Sequence, residues 1–258
     1  NPSLSPELIH KLTKKKSFVT GLIHNPNLPS NYYLEFYDSN NIDLKIELAS
    51  SDYTPIDILE KLSYEDNTYI HTLLFGNKNI NKIIHKFVKH KNSLIRNRVA
   101  CHDNVSLDVI NIFSKDKDPY VREGVASNPK SPKKILEDLS KDIDPNVRIQ
   151  VALNPKTPIK IIERLSIDID LAVRENIASI NEWSRIPHEI PKKIFENLSQ
   201  DKDPTVRANV ASNPVTPIKI IDDLSQDKDP TVRANVASNP ETPIKIIDDL
   251  SQDKDPTV

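Results

Sequence analysis

The sequence predicts an all-α solenoid of two-helix repeats, each about 26 residues long, and three observations carry that expectation. Residues 203–228 and 229–254 are one unit written twice, differing only at Val215 and Glu241, and Asp255-Pro256-Thr257-Val258 begins it again. A fixed period of this size is the signature of a stacked array. Each copy holds two helix-start signals, Asp203-Pro204 and Thr216-Pro217, and each is followed by aliphatic residues at helical spacing. The phase also persists upstream: Asp170, Asp144, Asp118 and Asn92 open successive units 26 residues apart. Arginine holds the fifth position of each unit, as Arg96, Arg122, Arg148, Arg174, Arg207 and Arg233.

The elements of one unit follow in order. Asp203 supplies a carboxylate for orphan backbone N–H groups, and Pro204 suits the first helical position, where no N–H is needed. Val206 and Val210 then share one face, with Ala211 beside them. Asn213 precedes Pro214, which pushes it out of the α region and ends the helix. Thr216-Pro217 repeats the start signal. Ile220, Ile221 and Leu224 form the apolar stripe of a second helix, and Ser225 to Lys228 form a polar connection. The unit therefore reads helix, corner, helix, loop. The first helix is short enough to be partly 3₁₀. One unit buries too little apolar surface to offset its own ordering entropy, so neighbours must stabilise one another.

The whole chain reads as a single array. Its units are 15–40, 41–65, 66–91, 92–117, 118–143, 144–169, 170–202, 203–228 and 229–254, with partial units at 1–14 and 255–258. The unit at 170–202 carries seven extra residues. The chain opens and closes in mid-repeat, lacks an initial Met and shows no polar cap at either end, which leads us to expect a segment of a longer protein.

The spelling Asp203-Pro204-x-Val206-Arg207-x-x-Val210-Ala211-x-Asn213-Pro214-x-Thr216-Pro217, with a later Ile-Ile-x-x-Leu, resembles the variant leucine-rich repeat family from about residue 92 onward. The resemblance implies a right-handed superhelix of paired short helices, α and 3₁₀ alternating, without β-sheet. The Asp-Pro-x-Val-Arg start is also similar to HEAT-type repeats. The founding family member is associated with an iron–sulfur cluster on a cysteine-rich N-terminal segment. This chain has one Cys, so no cofactor is carried over. The family does not fix one biochemical activity.

Composition narrows the function. The net charge is −2, with 3 Gly, 20 Pro and 1 Cys. The prolines are helix starters and corners, and one cysteine excludes a disulfide framework. No apolar run approaches the length of a membrane span. The cytoplasm is the default compartment.

Charge is uneven. Between Asp66 and Asp103 there is no acidic residue, while Lys78, Lys82, Lys86, Lys89, Lys91, Arg96 and Arg98 fall in that gap. If the stretch is α-helical, Lys78, Lys82 and Lys86 share one face and Ile83, Ile84 and Phe87 are buried on the other. Such a stripe suits phosphates or an acidic partner, and its bland reading is a solvated face. The insertion, Asn181 to Glu189, carries the only tryptophan, Trp183, beside Arg185. It reads either as a contact loop or as a tolerated excursion with Trp183 folded onto the core.

The arginine row is read as structural, with Arg207 bridging to Asp201, to Asp203 or to loop carbonyls of the adjacent unit. The asparagines at position eleven, Asn128, Asn154, Asn213 and Asn239, read as a corner ladder. Cys101 with His102 reads as a small helix-face residue, and His85 with His90 lacks metal-ligand spacing. Asp222-Asp223 and Asp248-Asp249 read as solvent-facing.

The leading expectation is a non-catalytic scaffold that binds another protein along the concave face. The alternatives are polyanion binding through residues 78–98 and self-association through uncapped ends. An enzyme of the base-excising or lyase kind rests on fold analogy alone.

Overall fold

The computed structural model describes residues 5–13, 15–180 and 190–258. The chain divides into two compact units, Asn1–Val99 and Ala100–Val258. All described elements are helices, and no strand occurs among the described residues.

In Ala100–Val258 the first helices of successive repeats are Pro119–Ser127, Pro145–Leu153, Leu171–Ala178, Pro204–Ser212 and Pro230–Ser238. The second helices are Leu107–Phe113, Lys133–Leu139, Ile159–Leu165, Lys192–Leu198, Ile218–Leu224 and Ile244–Leu250. Each first helix packs on the first helix of the next repeat and on the second helices flanking it in the chain. The stripe read from sequence is the core: Val206, Val210, Ala211, Ile220, Ile221 and Leu224 are buried, as are their counterparts Val147, Val151, Ala152, Ile161, Ile162 and Leu165. The first helices are α throughout rather than partly 3₁₀.

Helix starts are set by the aspartates. Asp118, Asp144, Asp170, Asp203 and Asp229 each accept, through a side-chain oxygen, the backbone N–H two residues on, at 2.8–3.0 Å. Pro follows directly, except after Asp170, where Leu171 takes its place. The second helices start differently from the Thr-Pro expectation. Except in Leu107–Phe113, which Ser106 caps through its side chain, their N-cap is the proline, with no side-chain cap. The residue before it points backward: the hydroxyls of Ser131, Thr216 and Thr242 donate to the carbonyls of Val125, Val210 and Val236 at 2.6 Å. That bond satisfies the open C-terminus of the first helix instead.

The Asn-Pro corner is a ladder between repeats. Asn154 Nδ2 donates to the carbonyls of Ala126 at 2.6 Å and Asn128 at 2.9 Å, and its Oδ1 accepts the N–H of Lys156. Asn239 does the same to Ala211 and Asn213, and Asn128 to Ala100 and His102. Both amide donors are used and the side chain is buried, an arrangement that suits Asn.

In Asn1–Val99 the helices are Pro6–Thr13, Lys16–Ile23, Ser30–Asp38, Ile42–Ser50, Ile56–Leu62 and Thr68–Gly76, followed by 3₁₀ segments Ile80–Lys82 and Ile84–Lys89 and then Ser93–Ala100. The corner ladder is present here too: Asn77 Nδ2 donates to the carbonyls of Ala49 and Ser51. The expected α-helix over the lysine-rich stretch is absent, and two 3₁₀ pieces replace it. Ile80–Ile83 and Ile84–Phe87 are each three apart, the period of a 3₁₀ turn, and all four are buried. No Thr-Pro start precedes them, and Asn79 N–H is captured locally by Asn77 Oδ1.

Replacing Asn154 by Ala strips two buried carbonyls of their donor. We expect a loss of about 3 kcal/mol, read as a lowered urea midpoint; an unchanged midpoint would show that water takes over both carbonyls.

Candidate functional site

The first helix of each repeat runs from the polar loop to the corner, so the fifth residue of the repeat sits within a turn of the loop. There the arginine side chain reaches two loops. Arg207 Nε and Nη2 bind the two carboxylate oxygens of Asp227 at 2.7 and 2.9 Å, while Nη1 donates to the carbonyls of Asp201 and Lys202 at 2.7 and 3.3 Å. The carboxylate partner is therefore the aspartate twenty residues ahead rather than Asp201 or Asp203, while the expected alternative, loop carbonyls of the adjacent unit, is met by Nη1. Asp201 gives Arg207 its carbonyl and gives its carboxylate to Arg174. Arg122 pairs with Asp142, Arg148 with Asp168, and Arg233 with Asp253, each by the same fork.

Asp142, Asp168, Asp201 and Asp227 thus each serve two arginines, one through the carboxylate and one through the carbonyl. The Oδ1 of each also accepts the N–H of the aspartate that opens the next repeat, as Asp203 N–H donates to Asp201 at 2.9 Å. The result is an unbroken ladder from Asp116 to Asp253. The repeat with seven extra residues keeps it. Arg174 reaches Asp201 across 27 positions, and Asn213 reaches the carbonyls of Ala178 and Ile180 across 35 and 33.

The ladder sets the local electrostatics. Burial alone would push the Asp142 and Asp227 carboxyls up, but the arginine fork and the backbone N–H hold both below their ordinary value. At Asp253, where Arg233 dominates, the value falls to about 2. Guanidinium groups so engaged have no free fork for an anionic ligand. Open recesses recur along this edge, one lined by Ser199, Asp201, Arg207 and Asp227 and the next by Ser225, Asp227, Arg233 and Asp253.

Around the ladder the loop residues alternate with it into solvent, and here the repeats differ. The last loop position is Lys117, Lys202, Lys228 or Lys254 in four repeats, but Ile143 and Ile169 in two. Two positions earlier stand Lys115, Lys141, Gln200, Gln226 and Gln252, but Ile167 in one repeat. Ile143 and Ile169 are 92% and 94% exposed and Ile167 is 68% exposed, with Leu171 beside them in sequence. Sequence reading missed this patch; aligning the loops column by column reveals it.

Some of the basic residues are already engaged. Lys78 pairs with Asp52 at 2.7 Å and Lys86 with Glu60 at 2.6 Å, while Lys82 donates to Asn79. Their shared α-helical face does not exist, because the backbone there is 3₁₀. Lys89 and Arg98 are exposed. Arg96 is buried and donates to the carbonyls of His90 and Lys91, the same contacts that Arg207 makes. Trp183 and Arg185 lie outside the described residues. Cys101 is exposed, with Sγ 3.8 Å from Ser127 Oγ. Among the described residues no group of three or more His, Cys, Asp or Glu is placed to hold a metal ion, and no helix is long and apolar enough to cross a membrane.

Two outcomes follow from the ladder. Arg148→Met leaves Asp168 buried without its cation, and Asp168→Asn leaves the guanidinium without its anion. Each is expected to lower stability by about 3 kcal/mol, and the double change by much less than the sum; additive losses in urea unfolding would contradict the pairing. The second outcome is acid lability. The folded carboxyls of Asp142, Asp227 and Asp253 sit below the ordinary value of 3.8. Their contribution is therefore complete above that value and is lost as pH falls through it toward about 2. Hydrogen-exchange protection of residues 118–253, corrected for the intrinsic pH dependence, should hold at pH ~5 and decay between pH ~4 and ~2; unchanged protection over that range would contradict it.

No protein-family model and no curated protein sequence matches the chain. Among solved structures it is similar to "a leucine-rich repeat variant with a novel repetitive protein structural motif", at 21% identity and a TM-score of 0.55, covering 83% of this chain and 79% of that one. With its corner and loop ladders, this chain is a helical repeat solenoid that shares the fold of the leucine-rich repeat variant.

Proposed function

We propose that the chain is a non-catalytic interaction module that binds another protein through the loop edge of the repeats spanning 118–169. Repeat arrays expose long, regular surfaces suited to partners. One observation carries the reading: three exposed isoleucines, Ile143, Ile167 and Ile169, in columns that other repeats fill with Lys or Gln. Grouped, exposed apolar residues mark interaction surfaces. Their repeats keep the full ladder beneath, so the isoleucines do not serve the fold. Polyanion binding through Lys78, Lys82, Lys86, Lys89 and Arg98 is the weaker reading, because Lys78 and Lys86 already face carboxylates.

The variant Ile143→Lys/Ile167→Gln/Ile169→Lys writes other repeats' residues into the patch. It should keep wild-type helicity and urea midpoint while losing crosslinked protein partners about ten-fold, the scale of one or two lost apolar anchors. Partners retained by this variant and lost in Lys82→Glu/Lys86→Glu would overturn the proposal in favour of the polyanion reading.

A further inference from the structure

The loop ladder has a counterpart in Asn1–Val99. Lys45, fifth in the repeat opened by Asn41, donates to Glu65 at 2.8 Å, twenty residues on, with both side chains largely shielded. The next repeat is opened by Asn67, whose Oδ1 accepts the N–H groups of Tyr69 and Ile70, one residue later than the sequence reading placed it. Its fifth residue is His71. The partner position, two before the opening residue of the following repeat, is His90. The equivalence holds in detail. His90 Nδ1 accepts the N–H of Asn92 at 3.1 Å, as Asp201 Oδ1 accepts that of Asp203 at 2.9 Å. The His90 carbonyl accepts Arg96 Nη1 at 2.7 Å, as the Asp201 carbonyl accepts Arg207.

Where the Lys45–Glu65 rung and those of Arg122, Arg148, Arg174, Arg207 and Arg233 hold a cation and an anion, this one holds two imidazoles. His71 is 2% exposed and His90 4%. His90 lies tilted against Tyr64, ring centres 4.7 Å apart, and meets Phe87 edge-on at 6.4 Å. Neither ring nitrogen of His71, nor His90 Nε2, meets hydrogen-bond geometry with any group. The Ser63 carbonyl lies near enough to both imidazoles, and the Glu65 carbonyl and Asp66 carboxylate near enough to His71, to favour the charged forms in part, but the unpartnered nitrogens do not reach hydrogen-bond geometry with them. The charged surroundings offer little help to a protonated rung. Glu65 is committed to Lys45 and the Tyr37 hydroxyl, Asp66 is exposed, and Lys91 and Arg96 add positive charge.

We infer that the His71–His90 rung is a proton-operated joint: neutral, it packs as an apolar rung, and protonated, it opens the repeat spanning Asn67–Lys91. Burial pushes both imidazoles below their ordinary value, and at His90 the charge of His71 pushes further the same way. Because the folded values lie below the unfolded one of about 6.5, the unfolded repeat binds more protons. Stability is therefore full above about 6.5 and falls as pH drops through that value toward the folded ones. The adjoining 3₁₀ segments, with poorer hydrogen-bond geometry than an α-helix, give way first.

Hydrogen exchange on the full chain, corrected for the intrinsic pH dependence, reads this directly. Between pH ~7.5 and ~5.5, amides of residues 67–91 should lose about ten-fold more protection than those of 118–169. In His71→Arg/His90→Asp, which writes the common ion pair into the rung, that difference should vanish. Uniform loss in the wild type, or an unchanged difference in a folded double variant, would overturn the inference. Should the double variant not fold, NMR titration of wild-type His71 and His90 decides: both must titrate below 6.5, and either one titrating at or above it overturns the joint. His102, half-buried and also lowered, lies in Ala100–Val258, and His102→Gln should leave the response of 67–91 intact.

Discussion

Short helices have little middle. The helices of Ala100–Val258 are seven to nine residues long, so nearly all their backbone groups belong to an end. An α-helix leaves four N–H and four C=O groups unpaired at its termini, and stacking repeats buries many of them. The need to satisfy those groups governs most of the polar sequence. Asp opens the first helix, Asn and the Thr or Ser hydroxyl close it, and Arg with the loop Asp closes the second helix's connection. The valines and isoleucines supply the driving force, but they would bury the same area in many arrangements. The hydrogen-bonded edges select one spacing of repeat on repeat.

Much of this was legible in the chain itself. Identical copies set the period, Asp-Pro located the helix starts, and the buried stripe followed from helical spacing. The polar partners were less accessible. That Arg207 takes the carboxylate of Asp227 depends on how the second helix returns the chain, which no local pattern states. The Thr of Thr-Pro looked like a cap and serves the preceding helix, because Pro217 fills the cap position and the carbonyl of Val210 lies open. The lysine-rich stretch was misread because its isoleucines fit either a helical or a 3₁₀ period, and only the absence of a start signal separates them.

The ladder also divides what variation means. A change within a rung that preserves complementarity, as Lys45 with Glu65 does, keeps the edge closed. A change that abandons it, as His71 with His90 does, alters how that repeat responds to its medium. Changes beside the rungs, such as Lys to Ile at 143 and 169, leave the edge closed and alter only what the surface offers. The columns in which differences carry function are therefore those that the hydrogen bonds do not use.

The repeat of 33 residues shows how the fold measures itself. Arg174 to Asp201, and Asn213 to Ala178 and Ile180, are the same bonds as elsewhere with seven positions added between the partners. Order along the stack is set by rung meeting rung, and the length of chain between them is free. Such an edge is a port: whole segments can be let in between Ile180 and Pro191, acquired or discarded, while the next repeat docks as if nothing had intervened.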